Sequence, residues 1–202
     1  MLLAIDTATT IAGLALYDEE GLHVEQMWQT RGNHTVELMP YIMRACEQQG
    51  LAPNQLTAVA VSMGPGSFTG LRVGMSVAKG IALAQKIPIV GVSTLDATAY
   101  PHRDLQVSVC AVLRAGRGRY AAALYGGSAN RWRQSQDVLV SAGQLAALLI
   151  EPTLVCGEVD SSLADTLRVE AAERVVLASP ARTVRRAATW PSLAGNVSGA
   201  AM

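Results

Sequence analysis

A two-lobed α/β protein is what the sequence predicts, and three observations carry the prediction. Residues 59–92 open on an apolar run, turn at Gly64-Pro65-Gly66, continue as a long periodic segment and close, after Pro88, on a second apolar run at 89–92. Strand, glycine turn, helix, strand is the βαβ order, which connects parallel strands with a right-handed crossover. Ahead of this unit lie three short β-rich runs with tight connections, the pattern of an antiparallel meander. Behind it, past the polar break Tyr100-Pro101-His102-Arg103-Asp104, the same order of elements returns in weaker form, without an obvious sequence repeat. With 202 residues, half of them hydrophobic, the chain can bury a core as one large domain or two small ones.

The elements follow in order. Residues 2–6, 11–17 and 22–28 are the meander strands, with Asp18-Glu19-Glu20-Gly21 as the second turn. Asn33 or Thr35 can cap a helix running to about residue 49, and Gly50 and Pro53 stop it. Its apolar residues Val36, Leu38, Met39, Tyr41, Ile42, Ala45 and Cys46 cover more than one face, and Pro40 either kinks it or marks its true start. In the βαβ unit, Ser67 or Thr69 supplies the hydroxyl that accepts from a first-turn amide. The first hundred residues thus read β-β-β-α-β-α-β, the order of a ribonuclease-H-like lobe with helices packed on a mixed sheet. In the second half, 107–113 and 120–125 read as strands, 131–138 as a further one, 144–150 as helix, 154–156 as strand, 161–167 as helix and 174–177 as strand. The segment after Pro180 reads as helical, and the tail from Gly195 as small and polar enough to fray. The lobes are drawn at 1–99 and 105–202, the first carrying the candidate partner-binding helices.

Composition excludes more than it identifies. Formal net charge is zero, and the short arginine groups (Arg114, Arg117, Arg119; Arg131, Arg133; Arg182, Arg185, Arg186) read as solvated loops or helix faces rather than a nucleic-acid site. Cys46, Cys110 and Cys156 are odd in number, far apart and set in apolar surroundings, which reads as buried reduced thiols. His23, His34 and His102 share no metal-ligand spacing. No apolar run reaches membrane length and the start lacks a signal peptide's basic residues, so a cytoplasmic protein without membrane attachment is expected.

The helix after the glycine turn is the most informative element. At 100° per residue Arg72, Ser76 and Lys79 form one narrow polar stripe with Leu83 beside it. Gly70, Gly74, Ala78 and Ala82 recur every fourth residue, so another backbone can approach there. Two readings stay open for so apolar a helix: a core element, or half of a docking surface for another protein. The loop Gly64–Gly70 could hold an anion at a helix N-terminus. It carries neither the Gly-Lys-Ser/Thr of a Walker loop nor the spacing of a dinucleotide fingerprint, so a packing turn is the simpler reading. Asp6-Thr7, at the end of the first strand, has the position from which phosphotransfer enzymes of this fold class hold a metal-nucleotide. With Gly64 and Gly66 it makes a candidate vestigial nucleotide site. Asp96 is at the other candidate cleft edge, and neither acid has a basic or histidine partner nearby in sequence.

Three segments together are distinctive: Leu3-Ala4-Ile5-Asp6-Thr7-Ala8-Thr9, Asn33-His34-Thr35-Val36-Glu37-Leu38-Met39-Pro40, and Ser62-Met63-Gly64-Pro65-Gly66-Ser67-Phe68-Thr69-Gly70-Leu71-Arg72-Val73-Gly74 running on to Gly91-Val92-Ser93-Thr94. Through them the first hundred residues closely resemble the TsaB (YeaZ) family of tRNA threonylcarbamoyladenosine (t6A) biosynthesis; the second half matches loosely. The resemblance implies an actin/Hsp70-like two-lobe fold. It also implies a subunit that, with TsaD, TsaE and the threonylcarbamoyl-adenylate synthase, helps modify the adenosine just 3′ of the anticodon in tRNAs reading codons that begin with A. In that system TsaD is the catalytic, metal-binding paralogue, and a TsaB subunit holds and activates it through two helices of its first lobe.

The TsaD paralogues carry a His-x-x-x-His metal pair just after the strand that follows the shared helix. Here that run is Thr94-Leu95-Asp96-Ala97-Thr98, with threonine at both positions, and a neutral hydroxyl is a poor transition-metal ligand beside imidazole. An older label of the family as a glycoprotein endopeptidase is unsupported for the same reason, and no nucleophile–base arrangement is present. A further departure is Arg114-Ala115-Gly116-Arg117-Gly118, where the family commonly shows Asp-Ala-Arg. The expectation is a scaffold without catalytic residues, metal or a cofactor of its own, a nucleotide being confined to the partner interface. Its partner surface is expected at Leu38, Tyr41, Ile42 and Ala45 of the first helix and Leu71, Arg72, Met75, Ser76, Ala78, Lys79 and Leu83 of the second. TsaD docks there, TsaE joins the complex, the chain alone pairs as a homodimer, and tRNA is reached only indirectly. The rival is a small ATPase or sugar-kinase-like phosphotransferase using Asp6 and the glycine loop.

Overall fold

The computed structural model describes residues 1–126, 132–179 and 183–190. Arg131, Arg182 and the tail from Gly195 lie outside the described residues. Two compact units divide the chain: Met1–Thr94 together with 186–190, and Leu95–Arg185.

The first unit contains β1 (Leu2–Asp6), β2 (Ile11–Asp18), β3 (Gly21–Gln29), α1 (His34–Gln48), β4 (Ala58–Gly64), α2 (Phe68–Gln85) and β5 (Ile89–Ser93). The sheet order is β3-β2-β1-β4-β5. β1, β2 and β3 pair antiparallel, β4 runs parallel to β1 and β5 parallel to β4, which is the meander extended by a βαβ crossover. Register follows the side-chain alternation of the strands. Leu3 and Ile5 of β1, Leu14 and Leu16 of β2, and Val59 and Val61 of β4 share one face, and form a single core with Leu38 and Ile42 of α1 and Ala78 of α2. Full burial of each branched side chain is worth about 1.5–3 kcal/mol, which makes this core the main support of the unit.

The alternate positions Ala4, Gly13, Ala15 and Ala60 are small, and Glu25 of β3, opposite Ala15, lies on their face. There the chain returns: residues 187–189 form one 3₁₀ turn packed on β1, β2 and β3. Arg186 pairs with Glu25, whose other carboxylate oxygen accepts the Ala188 amide at 3.2 Å. Trp190 is fully buried.

The second unit opens within α3 (Thr94–Ala99) and continues with β6 (Ser108–Arg114), β7 (Arg119–Tyr125), β8 (Val138–Ser141), α4 (Ala142–Leu148), β9 (Thr153–Gly157), α5 (Ser161–Glu170) and β10 (Val175–Leu177). Its sheet order, β10-β9-β6-β7-β8, is that of the first unit read from the other edge. Cys110, Val112, Leu145, Leu149, Leu163 and Leu167 build its core. All three cysteines are free and buried; burial pushes the Cys110 thiol up to about 12 and raises Cys156 also.

Several boundaries differ from the sequence pattern for local reasons. The third strand of this lobe is Val138–Ser141 rather than 131–138, since Arg133 makes only an isolated bridge to Tyr125 and Gln134–Asp137 is polar. α4 starts two residues early because Ser141 and Gln144 form a capping box. α3, six residues long, was too short to register as a periodic pattern. After Pro180 the only helical piece among the described residues is the turn at 187–189. Pro40 lies inside α1, and Asn33 caps that helix with its carbonyl, accepting from Val36 and Glu37, not with its side chain.

Candidate functional site

β4 ends at Gly64, whose φ of +106° suits glycine, and the chain then drops over the end of β1. A Cβ on Gly66 would sit 2.4 Å from the Ala8 carbonyl oxygen, and one on Gly70 2.1 Å from that of Thr7. The Ser67 amide donates to Ala8 O at 2.6 Å, and of the two expected caps it is Ser67 that accepts, from the Gly70 amide at 3.2 Å. Asp6 is buried and accepts the Ala8 amide at 2.9 Å; the Thr7 amide donates to Ser62 Oγ. The Thr7 hydroxyl faces Gly74, where a Cβ would lie 2.2 Å away, and has no hydrogen-bond partner among the described residues. Asp6, Thr7, Gly64 and Gly66 are therefore brought together, with the Ser67 amide committed to Ala8 O and the Gly70 amide to Ser67 Oγ, so these two amides of the loop are not free to donate to a phosphate. The small stripe Gly70, Gly74, Ala78, Ala82 is the inward side of α2, and the backbone that approaches it is the end of β1 in the same lobe.

The helix faces correct the residue assignment of the partner surface. Leu38, Ile42 and Ala45, spaced i, i+4, i+7, point into the core, as does Ala78, so none of the four can meet a partner. The outward side of α1 instead carries Val36, Met39 and Met43. Tyr41 is half-buried, its ring 4.3 Å from that of Trp28, whose indole N–H donates to Glu37 at 3.1 Å. On α2, Leu71 and Met75 are half-buried, while Arg72, Ser76, Lys79 and Leu83 are exposed, Leu83 at 82%. Phe68, the only phenylalanine of the chain, is 68% exposed with the Arg72 guanidinium 3.8 Å above its ring. A groove of about 460 Å³ runs beside α2, lined by Met63, Phe68, Leu71, Arg72, Met75 and Lys79, with Ser62 and Ser76. Val36, Met43, Met63 and Phe68 thus belong to the surface but escaped sequence reasoning. The available signal was the place of Phe68 half a helical turn from the small-residue stripe of α2, of Val36 and Met43 half a turn from Leu38 and Ala45 on α1, and of Met63 at the end of β4.

In the second unit Asp96, Arg133, Asp160 and Arg114 are engaged within the lobe. Asp96 accepts from the Tyr125 hydroxyl and from Arg133 Nη1, both at 2.7 Å, and Arg133 also pairs with Asp137. Burial, then Asp96, raises the Tyr125 pKa, keeping it a donor. Asp96 does have a basic partner, 37 residues on. Asp160 caps α5 by accepting the Leu163 amide at 2.9 Å, accepts Tyr120 Oη at 2.8 Å and lies 3.4 Å from Arg114 Nε; the amide bond first, then Tyr120 and Arg114, hold its carboxyl below the usual range. Thr94 and Thr98, one turn apart on α3, are buried, and the Thr98 methyl lies against Gly157. Two hydroxyls there do not fit a transition metal. Among the described residues no group of three His, Cys, Asp or Glu could hold a metal ion. No described helix is long and apolar enough to cross a membrane.

Two mixed sheets of one strand order, each flanked by helices, define the class: the chain has the two-lobed actin/Hsp70-like fold. YeaZ from Pseudomonas aeruginosa superposes with a TM-score of 0.77 over 99% of this chain and 92% of that one, at 23% identity, a likeness of fold. The family model described as "TsaD: tRNA N6-adenosine threonylcarbamoyltransferase" matches residues 29–153, and the chain belongs to that family. Several of the relatives to which the chain is similar bear the name TsaB. The tRNA threonylcarbamoyladenosine biosynthesis protein TsaB of Bacillus subtilis (strain 168) is 35% identical over 124 residues, 61% of this chain and 54% of that protein. Its namesake from Haemophilus influenzae is 40% identical over 99 residues, 48% and 41% of the two chains. The chain spans about half the length of the curated relatives it matches.

Proposed function

We propose that this chain is a non-catalytic scaffold and activator in t6A modification of tRNA, docking through the outer faces of α1 and α2 onto the TsaD catalytic subunit in the cytoplasm. One observation carries the reading: Val36, Met39, Met43, Phe68 and Leu83 stand exposed on two adjacent helices whose inner faces already fill the core. Exposed apolar side chains gathered on adjacent helices in this way are normally covered by a partner. Apolar side chains supply the affinity, while Arg72, Ser76 and Lys79 fix the register at the rim. The same face pairs two copies when TsaD is absent, TsaE joins the assembled complex, and any nucleotide sits at the partner interface. The engaged Ser67 and Gly70 amides weigh against the rival phosphotransferase, which would need free donors for a phosphate.

The test is co-purification of TsaD with Leu83→Glu and Met43→Glu variants. Both substitutions replace exposed side chains, so the lobe keeps its stability while association falls at least tenfold, the loss expected when a charge enters an apolar contact. Undiminished capture of TsaD by both variants overturns the docking assignment. Mg-ATP titration of the intact chain, with Asp6→Ala as control, returns no binding on this reading; tight binding lost in that variant would establish the rival.

A further inference from the structure

Arg117 is the second feature of this molecule that asks for a reason. Among the described residues it is one of two non-glycine residues with a left-handed backbone, the other being the C-cap Lys86, and it sits between Gly116 and Gly118 at the tip of the β6–β7 hairpin, with φ values of +75°, +53° and +67° across the three. Glycine or asparagine would adopt this turn with less strain, so an arginine held there by its two glycine neighbours directs attention to the side chain. Residues 114–119 are all exposed. Arg114 is anchored by Asp160, and its amide donates to Glu158 at 2.9 Å, so the two nearby acids are engaged with that arginine. The side chains of Arg117 and Arg119 have no hydrogen bond or ion pair among the described residues. The backbone is fixed by the Arg119 amide donating to Gly116 O at 3.0 Å and the Ala115 amide donating to Arg119 O at 2.9 Å. A rigid turn therefore presents two unpaired guanidinium groups on a chain with no net charge.

The geometry points to a phosphate-backbone contact: the β6–β7 hairpin grips RNA through Arg117 and Arg119, independently of base sequence. Planar guanidinium forks match phosphate oxygens, and two of them on a fixed turn lose little freedom on binding. This rests on the proposed role in tRNA modification and adds a direct RNA contact from the second lobe, which neutral net charge alone had argued against. Such a contact positions RNA rather than reading its sequence, and its signature is salt dependence.

The experiment measures binding of a labelled, unmodified tRNA transcript by the full chain, alone and with TsaD, across a salt series. In Arg117→Gly/Arg119→Ala, whose glycine suits the left-handed turn, affinity falls about tenfold and the slope of log K against log salt becomes shallower by about 1.5, while TsaD capture is unchanged. Arg117→Lys/Arg119→Lys keeps most of the salt slope. An unchanged affinity and slope in the Gly/Ala variant overturns the contact. So does absence of tRNA binding in both settings, or displacement of the RNA by polyglutamate as readily as by unlabelled tRNA, which would assign the hairpin to an acidic protein. Loss of TsaD capture in the helix variants alone would bear on the docking reading and leave the hairpin result standing.

Discussion

α2 runs for 18 residues and leaves Phe68, Arg72, Lys79 and Leu83 in solvent; α5, which follows the corresponding strand of the second lobe, runs for 10 and shows solvent a face with Asp165, Arg168, Val169 and Glu170. Both helices are entered from a strand ending in left-handed glycine, Gly64 at φ +106° and Gly157 at +103°. In each lobe a glycine also meets backbone at the first strand or its end, from α2 in one lobe and from the end of β9 in the other: a Cβ at Gly157 would lie 2.1 Å from the Val112 carbonyl oxygen, as one at Gly70 would from that of Thr7. The shared constraint is a backbone approach, so it survives where the sequences do not repeat. The contrast lies in what finishes the outer surface. The second lobe ties its polar groups together, Asp160 to Leu163, Tyr120 and Arg114, and Asp96 to Tyr125 and Arg133. The first lobe leaves an apolar helix face open, and it is the lobe to which docking is assigned.

Four substitutions or conditions break or sharpen this contrast, beginning with the largest effect. Ala78→Arg buries an unpaired charge in the first core and costs about 4 kcal/mol or prevents folding, whereas Leu83→Glu, five residues on, stays within about 0.5 kcal/mol; urea unfolding followed by tryptophan fluorescence separates them. Gly70→Ala and Gly157→Ala drive a methyl into backbone oxygen in the two lobes, and each costs about 3 kcal/mol, with Gly157 adding a disfavoured φ. Equal losses would establish that both lobes depend on the same close approach. Tyr120→Phe removes a hydroxyl donor to a carboxylate and lowers the stability of the second lobe by about 1.5 kcal/mol at neutral pH, read from denaturant unfolding.

The smallest effect is a pH dependence. Asp160's carboxyl is held below its unfolded value, so its contribution is present above the unfolded pKa, near 3.9, and is lost as pH falls through the depressed folded value. Its capping bond is worth about 1 kcal/mol. The loss in Asp160→Ala, measured by denaturant unfolding at pH 7, should shrink as the pH falls below about 4.

The strands, the two long helices and the repeated element order were legible because each is written in local periodicity: β1 is Leu2–Asp6 in sequence pattern and in space alike. The family motif was legible as residues, and its glycines as packing, since a helix cannot settle on a strand end with side chains in the way. What escaped was non-local. Which apolar stripe of α1 faces inward depends on where β2 and β3 lie, so Leu38 and Ile42 could be mistaken for surface and Met43 overlooked. The pairing of Asp96 with Arg133 spans 37 residues, and that of Glu25 with Arg186 spans 161; no spacing rule reaches so far. Phe68 was read only as a letter of the motif, although its exposure with Arg72 above it places it on the proposed docking surface.

The return of residues 186–190 to the first sheet has a consequence for synthesis. β1 leaves the ribosome more than 180 residues before Trp190, so the small-residue face of the first sheet waits uncovered through most of translation. Contacts of such large sequence separation form late, and an exposed apolar face on a nascent chain invites misassociation. Ala4, Gly13, Ala15 and Ala60 offer little grip to a passing hydrophobic segment until the turn at 187–189 arrives to pack on these strands.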